Sequence, residues 1–131
     1  MINKNAFDCC ESLVEITIPP VTLFDDCGFY ACKSLVEISI PAKIICKYAF
    51  SKCRLLQHVI FLSSVVEIKE YAFCECYSLS EVSFSEPSSL TKIGKNAFQS
   101  CIKLGKITVP SSVKEIEKRA FPQNTKVSTV K

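Results

Sequence analysis

The chain has 131 residues, of which 48% are hydrophobic and 22% charged, a composition typical of one folded domain rather than a disordered segment. Its net charge is only +3, and the Lys and Arg residues are scattered among acidic ones, which excludes the basic stripe of a nucleic-acid-binding protein. No apolar run approaches the ~18 residues of a membrane span, and no apolar stretch after a charged start indicates a secretory signal.

One pattern recurs six times along the chain and is centred on a Phe. Successive Phe residues of the pattern are separated by 22, 21, 23, 25 and 23 residues. They are Phe7, Phe29, Phe50, Phe73, Phe98 and Phe121. Three residues after each of the first five lies a cysteine, namely Cys10, Cys32, Cys53, Cys76 and Cys101. Spacing that is kept over six units indicates a repeat protein, in which stacked units share one core.

Each unit contains three predicted segments in chain order. The Ala-Phe-x-x-Cys-x-x-Leu segment has apolar residues three positions apart, which predicts one or two helical turns. The following Leu-x-x-Ile-x-Ile segment, as in Leu35 to Ile40, predicts a short strand with one buried face, ended by residues such as Pro41. The Val-x-x-Ile segment is too short for a helix and predicts a bend or a second short strand.

Some positions depart from the regular spacing or composition. Leu62 and Ser85 replace the Pro, residues 85–91 contain a two-residue insertion, and Gly94 is the only Gly at its position in the repeat. We expect these departures to change local turns and to leave the architecture intact. Counting the usual offsets from Phe121 assigns Val127 to the Leu position and Val130 to the first buried position of the strand.

The full pattern is Leu-x-x-Ile-x-Ile-Pro-x-x-Val-x-x-Ile-x-x-x-Ala-Phe-x-x-Cys, and residues 104–121, LGKITVPSSVKEIEKRAF, carry most of it. It resembles the leucine-rich repeat of the BspA-like (bacterial surface antigen A-like) family, over residues 2–130. The resemblance implies an α/β repeat solenoid, a right-handed superhelix with a parallel β-sheet on one face and short helical turns on the other. We expect residues 1–131 to form a single domain of five to six repeats.

The ends of the chain lie inside repeats, at Ile2 and Val130. Solenoids normally need capping units with a polar outer face, and no such unit is visible in the sequence. We therefore expect a fragment of a longer array. The alternative is a short natural array that self-associates through its uncapped ends.

The cysteines of the repeat are expected to be small buried core residues. Adjacent coils would bring their Cα atoms to ~5 Å, within disulfide range, but parallel side-chain directions work against a bond. The remaining cysteines, Cys9, Cys27, Cys46 and Cys74, lie outside the pattern and are expected to be exposed. Neither Cys9-Cys10 nor Cys74-Glu75-Cys76 has a second pair or a His at zinc-site spacing.

No constellation in the sequence predicts an enzyme, a metal site or a cofactor. His58 is the single histidine, and its strand position favours a solvated side chain over a catalytic one. Asp25 and Asp26 occupy a turn, where Asp is favoured by turn hydrogen bonds. Basic side chains of the other face, Lys52 and Arg54 among them, are expected only to be solvated.

The predicted sheet leaves one row of side chains facing outward from each strand. We predict that these side chains form a candidate partner-binding face, or else serve only to keep the protein in solution. They are Glu15, Thr17, Glu37, Ser39, His58, Ile60, Glu81, Ser83, Lys106 and Thr108.

The sequence therefore predicts a non-enzymatic protein-binding module. The resemblance implies a cell-surface role in adhesion or host-protein interaction, with a host or extracellular protein as the partner. An intracellular scaffold that binds an intracellular protein is the alternative, favoured by unpaired thiols, the missing signal peptide and the absence of any Asn-x-Ser/Thr sequon.

Overall fold

The structure is a computed structural model that describes residue 18 and residues 28–130. In this part of the chain, long strands of four residues alternate with short strands of two residues. The long strands are β1 (Glu37–Ile40), β3 (His58–Phe61), β5 (Glu81–Phe84), β7 (Lys106–Val109) and β9 (Lys126–Thr129). The short strands are β2 (Ile44–Ile45), β4 (Glu67–Ile68), β6 (Lys92–Ile93) and β8 (Glu115–Ile116).

All strand pairs are parallel and join equivalent positions of successive repeats, so the chain winds as a parallel solenoid. The long strands pair in the order β1-β3-β5 and, separately, β7-β9, while the short strands form one sheet in the order β2-β4-β6-β8. The register sets Ile38 opposite Val59, and Val59 opposite Val82. The Val-x-x-Ile segments therefore form the short strands, which is one of the two structures predicted for them.

The core consists of columns in which each coil contributes the same kind of residue. The Phe column is a continuous stack with ring centroids 4.9 Å apart for Phe29 and Phe50, 5.1 Å for Phe50 and Phe73, and 5.2 Å for Phe73 and Phe98. A further stack of 5.2 Å joins Phe98 to Phe121. Phe29, Phe50, Phe73 and Phe98 are fully buried. Burial of these large rings stabilises the fold.

The predicted helical turns are wrong, because no helix forms in the described residues. The Phe segments are turns in which residues with positive φ occur at two places. The first lies two positions before the Phe, and the second lies two positions after it. They are Tyr48, Tyr71, Asn96 and Arg119 before it, and Ala31, Lys52, Glu75 and Ser100 after it. A left-handed residue costs about 1–2 kcal/mol when it is not Gly, and it breaks the helical sequence of dihedral angles.

Hydrogen bonds between coils replace the helical ones. The Phe50 amide donates to the Ala72 carbonyl at 2.7 Å, and the Lys52 amide donates to the Cys74 carbonyl at 2.8 Å. The left-handed residues turn these amides toward the next coil, so the turn segments are bonded into the stack as the strands are. Satisfied backbone groups in a buried turn offset the conformational cost.

Gly94 is required by a close approach between two coils. A Cβ atom at Gly94 would lie 2.7 Å from the Glu70 amide nitrogen and 2.8 Å from the Lys69 carbonyl carbon. The Gly94 amide also donates to the Ile68 carbonyl at 2.7 Å. Any side chain here would push the coils apart, which explains why the sequence departs from its pattern at this position.

The offset assigned to the last unit is also wrong. Strand β9 sets Val127 opposite Ile107 and Thr129 opposite Val109, so the unit after Phe121 is three residues shorter than the pattern predicts. Val127, and not Val130, occupies the first inward strand position. Val127 remains 44% exposed at this end of the described stack.

The Phe stack makes a prediction about stability. Replacing Phe73 by Leu removes stacking on Phe50 and Phe98 and the edge contact with Phe61 at 5.6 Å. Each aromatic contact is worth about 0.5–1.5 kcal/mol, so we expect a loss of about 2 kcal/mol in the free energy of unfolding, measured by urea titration. Phe121→Leu, which removes one stack, should lose less than half as much, and equal losses would contradict the stack.

The left-handed turn residues give a second prediction. Arg119 has φ of 59° and is exposed, so Arg119→Gly relieves strain and should raise the free energy of unfolding by about 0.5–1 kcal/mol. The neighbouring Lys118 is also exposed and has no positive φ. Lys118→Gly should instead lower stability by a similar amount. A loss of stability in both variants would show that the turn is not strained.

Candidate binding surfaces

The outward side of the long strands is the first candidate surface. Burial alternates along the strands: Ile38 and Ile40 of β1 are buried, whereas Glu37 and Ser39 are exposed. Burial alternates in the same way along β3 and β7, and the register of β5 with β3 sets Glu81 and Ser83 on this side too. Glu81, Lys106 and Thr108 are exposed, and His58, Ile60 and Ser83 are half-buried. Glu15 and Thr17 lie outside the described residues.

The first outward position of each strand forms a charged row that changes sign. Its members in stacking order are Glu37, His58, Glu81, Lys106 and Lys126. His58 Nε2 lies 3.8 Å from Glu81 Oε2, so the imidazole faces the carboxylate of the next strand. The row is acidic around β1 and β5 and basic along β7 and β9. The second outward position is neutral and includes Ser39, Ile60 and Ser83.

A cleft of about 400 Å³ lies on this surface where strands β5 and β7 fail to pair. Ser80, Glu81, Val82, Ser83, Lys106, Ile107 and Thr108 line it. Because the sheet is interrupted here, Val82 and Phe84 are only half-buried, whereas Val59 and Phe61 of the preceding strand are 1% exposed. The interruption follows the two-residue insertion that lengthens this part of the repeat. The cleft thus combines apolar surface with unpaired strand edges.

The turn segments carry a second surface, which the sequence analysis missed. All four tyrosines of the chain line one depression of about 420 Å³ there. We call this depression the tyrosine pocket; it is lined by Tyr30, Tyr48, Ser51, Lys52, Tyr71, Cys74, Glu75, Tyr77, Gln99 and Ser100. Tyr48 and Tyr71 occupy equivalent turn positions of successive repeats, and this shared offset was the signal that could have revealed them.

The tyrosine rings are held by each other and by cations. The Tyr48 and Tyr71 rings stack with centroids 5.1 Å apart. Lys52 Nζ lies 5.4 Å from the Tyr30 centroid, and Arg54 Cζ lies 5.6 Å from the Tyr77 centroid. These contacts are cation–π interactions. Lys52 and Arg54 are therefore not merely solvated, and that prediction is corrected.

Hydrogen bonds and ion pairs fix the charged groups of the tyrosine pocket. The Tyr77 hydroxyl donates to Glu75 Oε1 at 2.7 Å, and this bond raises the pKa of Tyr77. Arg54 Nη2 lies 3.9 Å from the same carboxylate oxygen. A hydrogen bond with Tyr30 raises the pKa of Lys52, which keeps the amine charged.

The buried cysteines of the repeat are thiols that form hydrogen bonds with the backbone. Cys53, Cys76 and Cys101 each donate a hydrogen bond of 3.2 Å to the backbone carbonyl of the pattern Phe in the preceding repeat. The pairs are Cys53 with Phe29, Cys76 with Phe50, and Cys101 with Phe73. Burial, together with a hydrogen bond to Cys101, raises the pKa of Cys76 well above its usual value. A neutral buried thiol is a poor nucleophile and a poor metal ligand.

The prediction that Cys74 is exposed is wrong. Its side chain is 8% exposed at the edge of the tyrosine pocket, because its turn position faces the next coil. Burial, and then the nearby Glu75 carboxylate, raise the pKa of Cys74 to about 11. Cys46 is half-buried, and Cys9, Cys10 and Cys27 lie outside the described residues.

The described residues contain neither a candidate metal site nor a candidate membrane span. Residue 18 and residues 28–130 contain no group of three or more His, Cys, Asp or Glu side chains placed to hold a metal ion. The same residues include no helix with the length and apolar character of a membrane span.

Comparison with known proteins identifies the repeat. The pattern of a BspA type leucine rich repeat region matches residues 1–130 in six copies. The chain belongs to the BspA-type leucine-rich repeat family. This confirms the resemblance found in the sequence, and leucine-rich repeats are in general protein-interaction modules. No curated protein matches the chain significantly.

Solved leucine-rich repeat proteins share the fold. One from Bacteroides ovatus is 34% identical with a TM-score of 0.71, over 86% of this chain and 28% of its own. A T. pallidum leucine-rich repeat protein is 34% identical with a TM-score of 0.73, over 85% of this chain and 52% of its own. One from Bacteroides capillosus is 29% identical with a TM-score of 0.58, over 74% of this chain and 64% of its own. The chain thus spans only part of the length of each.

Proposed function

We propose that this protein is a non-enzymatic protein-binding module that captures a partner on the outward side of its long strands. The observation that carries the proposal is the uncovered parallel sheet, on which charged, apolar and unpaired backbone groups lie side by side. Repeat proteins bind partners over extended surfaces of this kind. In the described residues no segment of the chain packs over this surface.

The charges of the sheet surface supply specificity. A partner that places basic groups against Glu37 and Glu81, and acidic groups against Lys106 and Lys126, would satisfy both halves of the row. Complementary charges steer encounter and fix register more than they raise affinity. Ile60, which lies between Ser39 and Ser83 in the neutral row, supplies the apolar contact around which such an interface is centred.

We propose a cell-surface setting, in adhesion or in binding of a host or extracellular protein. Membership of the BspA-type family supports this setting, because the family takes its name from a bacterial surface antigen. The polar outward face with its central apolar residue supports recognition of a folded protein rather than of a small molecule.

An intracellular scaffold is the second candidate, and the state of the thiols favours it. Cys53, Cys74, Cys76 and Cys101 are free thiols, and disulfides are typical of extracellular proteins of small size. Labelling of intact cells, together with a count of the thiols, separates the two candidates.

The binding surface is tested with Ile60→Glu. We expect capture of the partner from host extracellular proteins to fall about tenfold or more, since a charge replaces a central apolar contact. The control is Ile102→Glu, at an Ile that is 61% exposed in a turn segment; it should bind normally. Both variants should unfold at the same urea concentration as the original protein. Unchanged capture by Ile60→Glu would place the interface elsewhere.

The setting is tested by labelling intact cells with a thiol reagent or an amine reagent that does not cross membranes. A surface protein should be labelled on its exposed lysines before cell lysis, whereas a scaffold inside the cell should be labelled only after it. Thiols are counted in parallel after denaturation without reductant. Nine reactive thiols, the full complement of the chain, together with no labelling of intact cells, would exclude the cell-surface setting.

A further inference from the structure

We propose that the tyrosine pocket is a second binding site, and that its ligand is a neutral carbohydrate. The pocket lies on the turn segments, and none of its lining residues belongs to the long strands. The proposal therefore stands apart from protein capture on the sheet. The volume of about 420 Å³ falls within the range of small-molecule sites.

The charges around the pocket select against an ionic ligand. Lys47 Nζ pairs with Glu70 at 3.5 Å, and Arg54 pairs with Glu75 at 3.9 Å, so opposite charges already balance each other beside the rings. A cationic ligand would meet Lys52, and an anionic one would meet Glu75, both in the lining. A ligand with no net charge avoids either repulsion.

The polar groups of the lining suit hydroxyls. The tyrosine hydroxyls and the Ser100 hydroxyl can both donate and accept hydrogen bonds, and the Gln99 amide does the same with separate atoms. Glu75 accepts, and Lys52 donates. Each hydroxyl of a sugar ring can donate and accept hydrogen bonds. A sugar therefore needs both donors and acceptors in the lining of its site, and this pocket has both.

An aromatic ring at the end of a stack supplies the apolar platform that a sugar requires. Tyr71 stacks on Tyr48, but the next repeat places Asn96 at the equivalent position, so the stack of rings ends at Tyr71. The Asn96 amide is turned to Gln99, to which its Nδ2 donates at 3.1 Å. The C–H face of a pyranose packs on such a ring through dispersion and burial of apolar area.

The chain provides its own reporter for this site. It contains no Trp, and its four Tyr residues all line the pocket. Tyrosine fluorescence of the whole protein is therefore emission from the proposed site alone. We would titrate the full chain with maltotriose, lactose and mannotriose as neutral probes, with heparin as an anionic probe and with trilysine as a cationic probe.

We expect a saturable change in tyrosine emission with at least one neutral oligosaccharide. Tyr71→Asn should weaken that binding about tenfold, because it removes one aromatic contact with the sugar. Asn is chosen because the next repeat carries Asn96 at the equivalent position, with φ of 56°. The matched control Ile60→Glu, on the sheet, should bind the sugar as before.

Three outcomes would overturn the proposal. The first is no saturable change with any neutral probe in a protein whose urea unfolding is normal. The second is a response only to heparin or trilysine that salt abolishes, which would assign an ionic ligand. The third is sugar binding that Tyr71→Asn leaves unchanged. Failure of Ile60→Glu to affect protein capture has no bearing on any of these.

Discussion

Stacking of equivalent residues in register is the constraint on which the rest of the structure depends. Each coil repeats the position of its neighbour, so Phe lies on Phe at about 5 Å and strand lies on strand. A single coil of ~23 residues buries almost nothing alone. The rings, the thiols and the strand residues of one unit become a core only when the next unit covers them.

The same constraint decides where sequence reasoning succeeds. Apolar columns can be read from a single chain because every unit must present the same shape to the next, and so the strands, the Phe column and the buried cysteines of the repeat were predictable. Ile60 shows the limit of this reasoning: its outward position follows from the buried Val59 and Phe61, but a single sequence carries no information about what binds there.

The helical turns were mispredicted for a physical reason. Apolar spacing of three is shared by a helix and by a tight turn, and the choice between them is made by residues whose types give no warning. Tyr48 and Lys52 adopt left-handed conformations without being Gly or Asn, because bonds to the next coil stabilise them. The tyrosine pocket was missed with the turns, since a helix would have directed Tyr48 and Tyr71 differently.

Repetition also explains why departures from the pattern are informative. The insertion before β6 lengthens one coil, Gly94 accommodates the close approach that follows, and strands β5 and β7 lose their pairing. A regular stack has the same surface at every level, whereas this one has a cleft at one level and a change of charge beside it. Irregularity in the repeat thus gives the surface a distinct location.

The break between β5 and β7 has a mechanical consequence. A tension applied along the stack is carried at most levels by bonds of the long sheet, the short sheet and the turns together. At this level the long sheet carries none, and the load passes through the β6–β8 pair and turn bonds such as Phe73 to Ala97 at 2.7 Å. Among the described coils, we therefore expect the stack to bend more easily at this break than between the coils that β1, β3 and β5 join.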